Sequence, residues 1–197
     1  MSTPNLDDEE LLHLALNASS ENRHEEAISY LKQALNLAPA NAKAHYMLGA
    51  EHAQIGLYDR ATEEMAAAVK LDPDLVTAHF QLGLLHITSG RAKEAEDAWK
   101  PLDRLDREHP LHLFKTGLLH LARDEFAECG QCLRRGMAAN QVNPALNTDM
   151  ERVLKEVENR TASSARKENP TASPKNPAAK HVLLSAYRQN RPEDKDG

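Results

Sequence analysis

Residues 42–75 read AKAHYMLGAEHAQIGLYDRATEEMAAAVKLDPDL, and the elements of this stretch return along the chain at a spacing of 34. Gly49, Gly83 and Gly117 keep that spacing, as do Tyr46, Phe80 and Phe114 before them and His52, His86 and His120 after them. Ala27, Ala61 and Ala95 follow it, and so do the pairs Gly56 with Gly90 and Pro39 with Pro73. Within the quoted stretch, Tyr46, Met47, Ala50 and Ala53 recur at helical spacing, which predicts a first helix. Gly56 breaks it, and a second helix carrying Ala61, Met65, Ala68 and Val69 follows. Pro73 ends the unit, because proline cannot continue a helix but fits the first turn of the next. Small residues at Gly49 and Ala61 allow the two helix backbones to approach closely.

A strict period of this length is the mark of one small unit stacked repeatedly. Setting the glycines in register gives units at 8–41, 42–75, 76–109 and 110–143. Unit one has Ala15 for the glycine and His24 where unit two has Tyr58. Unit three has Ala92 at that place, and Pro101 inside its second helix should kink or shorten it. Unit four carries Cys129 in the small-residue column and Gln141 for the closing proline. Residues 145–160 form one further amphipathic helix, with Met150, Val153, Leu154 and Val157 on one face, and suit a terminal cap. The repeat region with its cap thus spans 8–160. Residues 161–177, rich in Ser, Ala, Pro and Lys, read as a disordered linker. Residues 178–190 regain amphipathic character with Val182, Leu183, Ala186 and Tyr187, and 191–197 are a polar tail.

Hydrophobic residues make up 41% and aromatics only 4%, which suits helices packed through small side chains. Net charge is −6, split between +3 on residues 161–197 and −9 on the remainder. An acidic body argues against nucleic acid as a partner, since phosphate binding needs clustered positive charge. No apolar run is long enough to span a membrane. The N-terminal MSTPNLDDEE is acidic and does not read as a secretory leader, so the expected location is cytoplasmic.

Two constellations invite chemistry. The His52, His86 and His120 ladder suggests a metal, but zinc ligands must lie about 2 Å from one ion. Successive helices are roughly 8–10 Å apart at their axes. Packing in place of aromatic residues is the better reading, and no metal or other cofactor is implied. Cys129 and Cys132 form a C-x-x-C near a helix start, where a thiolate is favoured in redox proteins. Such motifs follow a strand in redox folds, and none precedes this one, so Cys129 reads first as a core residue. No nucleophile and base stand together, and there is no phosphate-binding glycine loop. The chain does not read as an enzyme.

The Leu48-Gly49 and Leu82-Gly83 pairs, with Gly56, Tyr58, Ala61 and Pro73, resemble the tetratricopeptide-repeat family over roughly residues 8–143. The resemblance implies an all-α, right-handed α-solenoid of about four helix-turn-helix repeats with a C-terminal capping helix and a flexible tail. It implies that the first helix of each unit lines a concave groove. The groove positions are Leu12, Leu16, Tyr46, Ala50, Gln54, Phe80, Leu84, Ile87, Phe114, Leu118 and Leu121, a markedly apolar set. The Lys, Asn and Arg set with which one subclass clamps acidic chaperone C-termini is missing from these places. An apolar stripe of this kind either packs between helices or marks a binding surface. If it is exposed, its occupant is an apolar or amphipathic peptide from another protein, or the chain's own residues 178–189. The expected function is a non-enzymatic scaffold or adaptor. A cytoplasmic chaperone for a secretion or surface-assembly system is the alternative, and a thiol-redox protein using Cys129 and Cys132 is the alternative from another class.

Overall fold

The computed structural model describes residues 6–165. The linker beyond Ala165, the 178–190 segment and the tail lie outside the described residues. Nine α-helices follow one another without a strand among the described residues. They are α1 (Asp8–Ser20), α2 (His24–Leu37), α3 (Ala42–Gln54), α4 (Tyr58–Leu71), α5 (Val76–Thr88), α6 (Ala92–Trp99), α7 (Pro110–Ala122), α8 (Phe126–Ala139) and α9 (Pro144–Ala165). A 3-10 helix, Lys100–Arg104, follows α6. The chain divides into two compact units, one ending at Leu85 and the other beginning at His86, so the division falls within α5.

Local chemistry sets the helix ends. Asp7 caps α1 in a reciprocal box: its carboxylate accepts from the Glu10 amide at 2.8 Å, and its own amide donates to Glu10 at 3.0 Å. Asn41 caps α3 by accepting from the Ala44 amide at 3.0 Å. Each helix pair turns through a residue in the left-handed region: Asn22, Gly56, Gly90 and Asp124, with φ between 58° and 79°. In unit two the Leu57 amide then bonds the His52 carbonyl at 2.8 Å and the Gly56 amide bonds the Ala53 carbonyl at 3.1 Å. This is the crossed pair of bonds that ends a helix on a left-handed residue. The other three turns make the same two bonds. Glycine takes that conformation without penalty, and Asn and Asp are the side chains that tolerate it best.

In the first unit α1 packs on α2, α2 on α3 and α3 on α4. Its core gathers Leu11, Leu12, Ala15, Leu31, Ala34, Ala44 and Leu48. The small-residue column acts as its spacing suggested. A Cβ added at Gly49 would lie 3.2 Å from the Ala61 carbonyl oxygen and 3.1 Å from Met65 Cγ. Histidines tie the turn between repeats to the following helix: His45 Nε2 meets the Pro39 carbonyl at 3.0 Å, and His79 Nε2 meets that of Pro73 at 3.1 Å.

In the second unit α7 packs against α6 and α8, and α8 against α9. Pro101 shortens α6 as expected. The helix has 8 residues where α2, α4 and α8 have 14; Trp99 at its end and Leu102 on the 3-10 helix are both buried. Cys129 sits fully inside, in the small-residue column. The terminal helix α9 runs to Ala165, five residues past the expected end of the cap, and buries Leu146, Met150, Val153, Leu154 and Val157.

Candidate functional site

The apolar stripe expected to line a groove divides sharply between interior and surface. Phe80, Leu84, Ile87, Phe114, Leu118 and Leu121 are all buried, and so is Leu12, at the inner wall of the first unit's core. Phe114 shows why. Its ring lies against α8 so closely that a Cβ at Gly136 would be 2.5 Å from Phe114 Cε1. These six side chains are core, and the continuous stripe is corrected to a shorter exposed face in the first unit. There Leu16 is 44% exposed, Gln54 is exposed, and Tyr46 and Ala50 are half-buried. The Tyr46 hydroxyl is hydrogen-bonded to Thr77, and burial raises its pKa. Tyr46 is therefore a held floor of the face rather than a free ring.

Beside this face α1 and α3 border a cleft of about 300 Å³. Leu12 and Leu16 supply its apolar wall, while Asp8, Glu9, Asn41 and Lys43 surround them. Asn41 holds the α1 side by donating to Asp8 at 3.2 Å while its own oxygen caps α3. The cap of α3 thus also ties the two sides of the cleft's rim. An apolar side chain could enter against the two leucines with a charged neighbour at the rim.

One buried polar network was not legible beforehand. Glu51, 5% exposed, accepts from Ser19 Oγ at 2.5 Å and pairs with His24 Nδ1 at 2.8 Å, tying α1, α2 and α3 together. A buried carboxylate requires such partners. The signal was present in His24 itself, which replaces an aromatic residue and so needs a polar contact. In the second unit, buried Lys115 is paired with Asp103 on the 3-10 helix.

The histidine ladder does not converge. His52 is buried with Nδ1 lacking a hydrogen-bond partner, as does His86 Nδ1, and burial lowers both pKa values. His120 Nδ1 instead meets Glu125 at 2.5 Å. Among the described residues no three His, Cys, Asp or Glu side chains are grouped to hold a metal.

The surroundings of the two cysteines give the thiol-redox alternative no support. Cys129 is buried on α8, and desolvation, with a smaller effect from neighbouring Cys132, pushes its thiol up to about 12. Cys132 is half-buried and also raised, chiefly by desolvation. Redox cysteines depend on a lowered pKa and access, and Cys129 has neither.

A second cleft, of about 420 Å³, opens between α8 and α9. Phe126, Gly130, Leu154 and Val157 line it, and the Arg134–Glu158 ion pair closes one side. No helix among the described residues is long and apolar enough to cross a membrane.

A tetratricopeptide-repeat family model matches residues 18–74, and a second model of the same family matches residues 49–104. No curated protein matches the sequence. Among solved structures, a chain of the APC/C hetero-tetramer Cut9-Hcn1 aligns at a TM-score of 0.70 and 15% identity, covering 93% of this chain and 34% of that one. MamA from Desulfovibrio magneticus RS-1 aligns at 0.60 and 14% identity, covering 95% and 97%. YrrB, described as a tetratricopeptide-repeat protein with an unusual peptide-binding site, aligns at 0.57 and 16%, covering 95% and 88%. At such identities the likeness is one of fold, here all-α and built of helix-turn-helix repeats.

Proposed function

We propose that the chain, matched by tetratricopeptide-repeat models over residues 18–74 and 49–104, is a protein-interaction scaffold whose first two repeats bind an apolar or amphipathic peptide across α1 and α3. The observation that carries this reading is Leu16. It is a large apolar side chain left 44% exposed, beside a cleft whose other wall is Leu12. Half-buried Tyr46 and Ala50 lie further along α3. Asp8 and Glu9 outnumber Lys43 at the rim, so a peptide with an apolar anchor next to a Lys or Arg suits it best. YrrB, a chain of the same fold, has a peptide-binding site, which supports the class of partner and leaves its sequence open. Binding is the activity proposed, with no catalytic step.

Burying one leucine-sized anchor contributes about 1.5–3 kcal/mol, so a charge at its seat should be felt directly. The test selects peptides from a displayed random library on the full chain and measures their affinity by fluorescence anisotropy. Leu16→Glu should weaken the selected peptide by about tenfold or more. Leu37→Glu, at a leucine 56% exposed on α2, should change affinity by less than about twofold. Equal affinity in wild type and Leu16→Glu, with helicity intact, would remove the α1–α3 face from the account.

A further inference from the structure

The repeat does not stop where the fourth hairpin ends. Helix α9 begins at Pro144, 34 residues after Pro110 begins α7, at the place due for the first helix of a fifth unit. First helices α1, α3, α5 and α7 each run 13 residues and then turn at the left-handed residue. Helix α9 runs 22 residues and passes Glu158, the position equivalent to Asn22, Gly56, Gly90 and Asp124, without turning. No second helix follows it among the described residues. The cleft between α8 and α9 opens beside this stretch, along Leu154, Val157 and Thr161.

Second helices in this chain carry a recognisable face. It reads Ala27, Leu31, Ala34 and Leu35 in unit one, and Ala61, Met65, Ala68 and Val69 in unit two. In unit four it reads Cys129, Leu133, Gly136 and Met137. The spacing is small, large, small, large, and the first three places are buried in all three units. Ala179, Leu183, Ala186 and Tyr187 repeat that spacing downstream of α9. We propose that residues 178–189 supply the second helix of this incomplete fifth repeat by docking in the α8–α9 cleft.

Reach and charge agree with that seat. The connection 166–177 is 12 residues long, with a root-mean-square span of about 17–21 Å and an extended limit of about 40 Å. The cleft extends to Thr161, only about 6 Å of helical rise before Ala165. Tethering at this range gives an effective concentration on the order of millimolar. The segment carries Lys180, His181 and Arg188 and no carboxylate; the cleft's own Arg134 and Glu158 pair with each other, and exposed Glu128, with Glu125 paired to His120, flanks Phe126 and Ala127 at the α8 end. The seat is displaced relative to the earlier hairpins. Exposed Glu151 stands in the column of Gly49, Gly83 and Gly117, and its side chain obstructs the close crossing that glycine allows. The docked helix therefore crosses about one turn later, over Leu154 to Thr161.

The experiment is amide hydrogen exchange and methyl NMR on the full chain, in wild type and in Leu183→Glu, with Gly130→Glu as the variant on the other side of the contact. In wild type the amides of residues 181–189 should be protected about tenfold or more over unstructured rates, independently of protein concentration. Both variants should abolish that protection, and Leu183→Glu should shift the Leu154 and Val157 methyl signals while exchange in α1 to α4 stays unchanged. Three results would overturn the proposal: no protection of 181–189 in wild type, protection that fades on dilution and so comes from a second copy, or methyl shifts at Leu12 and Leu16 in place of Leu154 and Val157. None of these depends on the peptide-binding reading, whose test uses Leu16→Glu.

Discussion

Replacing Gly136 by alanine separates two opposing effects whose sizes can be worked out. In the body of a helix, alanine is favoured over glycine by about 0.8–1.0 kcal/mol. At this site the new Cβ would stand 2.5 Å from Phe114 Cε1, 2.6 Å from Cδ1 and 3.3 Å from Leu113 Cβ. Phe114 is fully buried, so its ring has no open space to enter. Overpacking a filled core costs about 1–3 kcal/mol, more when an aromatic ring must be displaced. With the ring held on all sides the clash should win, leaving Gly136→Ala less stable by up to about 2 kcal/mol. Gly130→Ala on the same helix is the control. There the nearest atoms are Arg134 Nη1 at 3.3 Å and Leu154 Cδ1 at 3.4 Å, both ends of flexible side chains. Its stability should be unchanged or raised by up to about 1 kcal/mol. Urea titration followed by circular dichroism reads both variants. Adding Phe114→Leu to Gly136→Ala should cost less than the two single changes together, because the atoms that clash are gone. A Gly136→Ala protein at least as stable as wild type would refute the close packing of α7 on α8.

Glu51→Ala leaves Ser19 and His24 without their shared acceptor and should cost about 1–3 kcal/mol in urea, with Glu51→Gln losing less; an unchanged midpoint would show that the network adds no stability. His52 has a folded pKa lowered by burial, with Lys32 and Arg60 adding to the shift and Glu64 opposing it. The unfolded chain therefore binds more protons than the folded one as pH falls through the ordinary histidine value of about 6.5, and stability drops there. His52→Phe should reduce that acid loss, seen as a smaller difference in urea midpoint between neutral and mildly acidic buffer. For the cysteines, mass spectrometry of the native protein with iodoacetamide at neutral pH should find Cys132 modified before buried Cys129; equal rates would contradict the placement of Cys129.

The architecture was legible because a 34-residue period fixes register, and register alone assigns Gly49 to a close approach and Pro101 to a shortened helix. The turns were half legible. Gly56 and Gly90 announced them, while Asn22 and Asp124 in the same left-handed place looked like ordinary polar loop residues. The groove was the hardest to read, for a geometrical reason. Helix α3 packs against both α2 and α4, and α7 against both α6 and α8, so the buried arc of a first helix is wider than the stripe of an ordinary surface helix. Phe114 and Leu118 therefore look the same in sequence as Leu16, yet they lie inside while Leu16 faces solvent. The His45–Pro39 and His79–Pro73 contacts were written in the sequence as two columns of equal period. Nothing in a single column said that the two would meet.

The most direct test of the peptide-binding face is a titration of methyl-labelled full chain with a library-selected peptide, followed by NMR. The Leu12, Leu16 and Ala50 methyl signals should move along one binding curve, while those of Leu118 and Leu121 in the core stay fixed. Shifts confined to the α8–α9 cleft, or saturation of binding with Leu16 and Ala50 unmoved, would contradict the assignment of the peptide to α1 and α3.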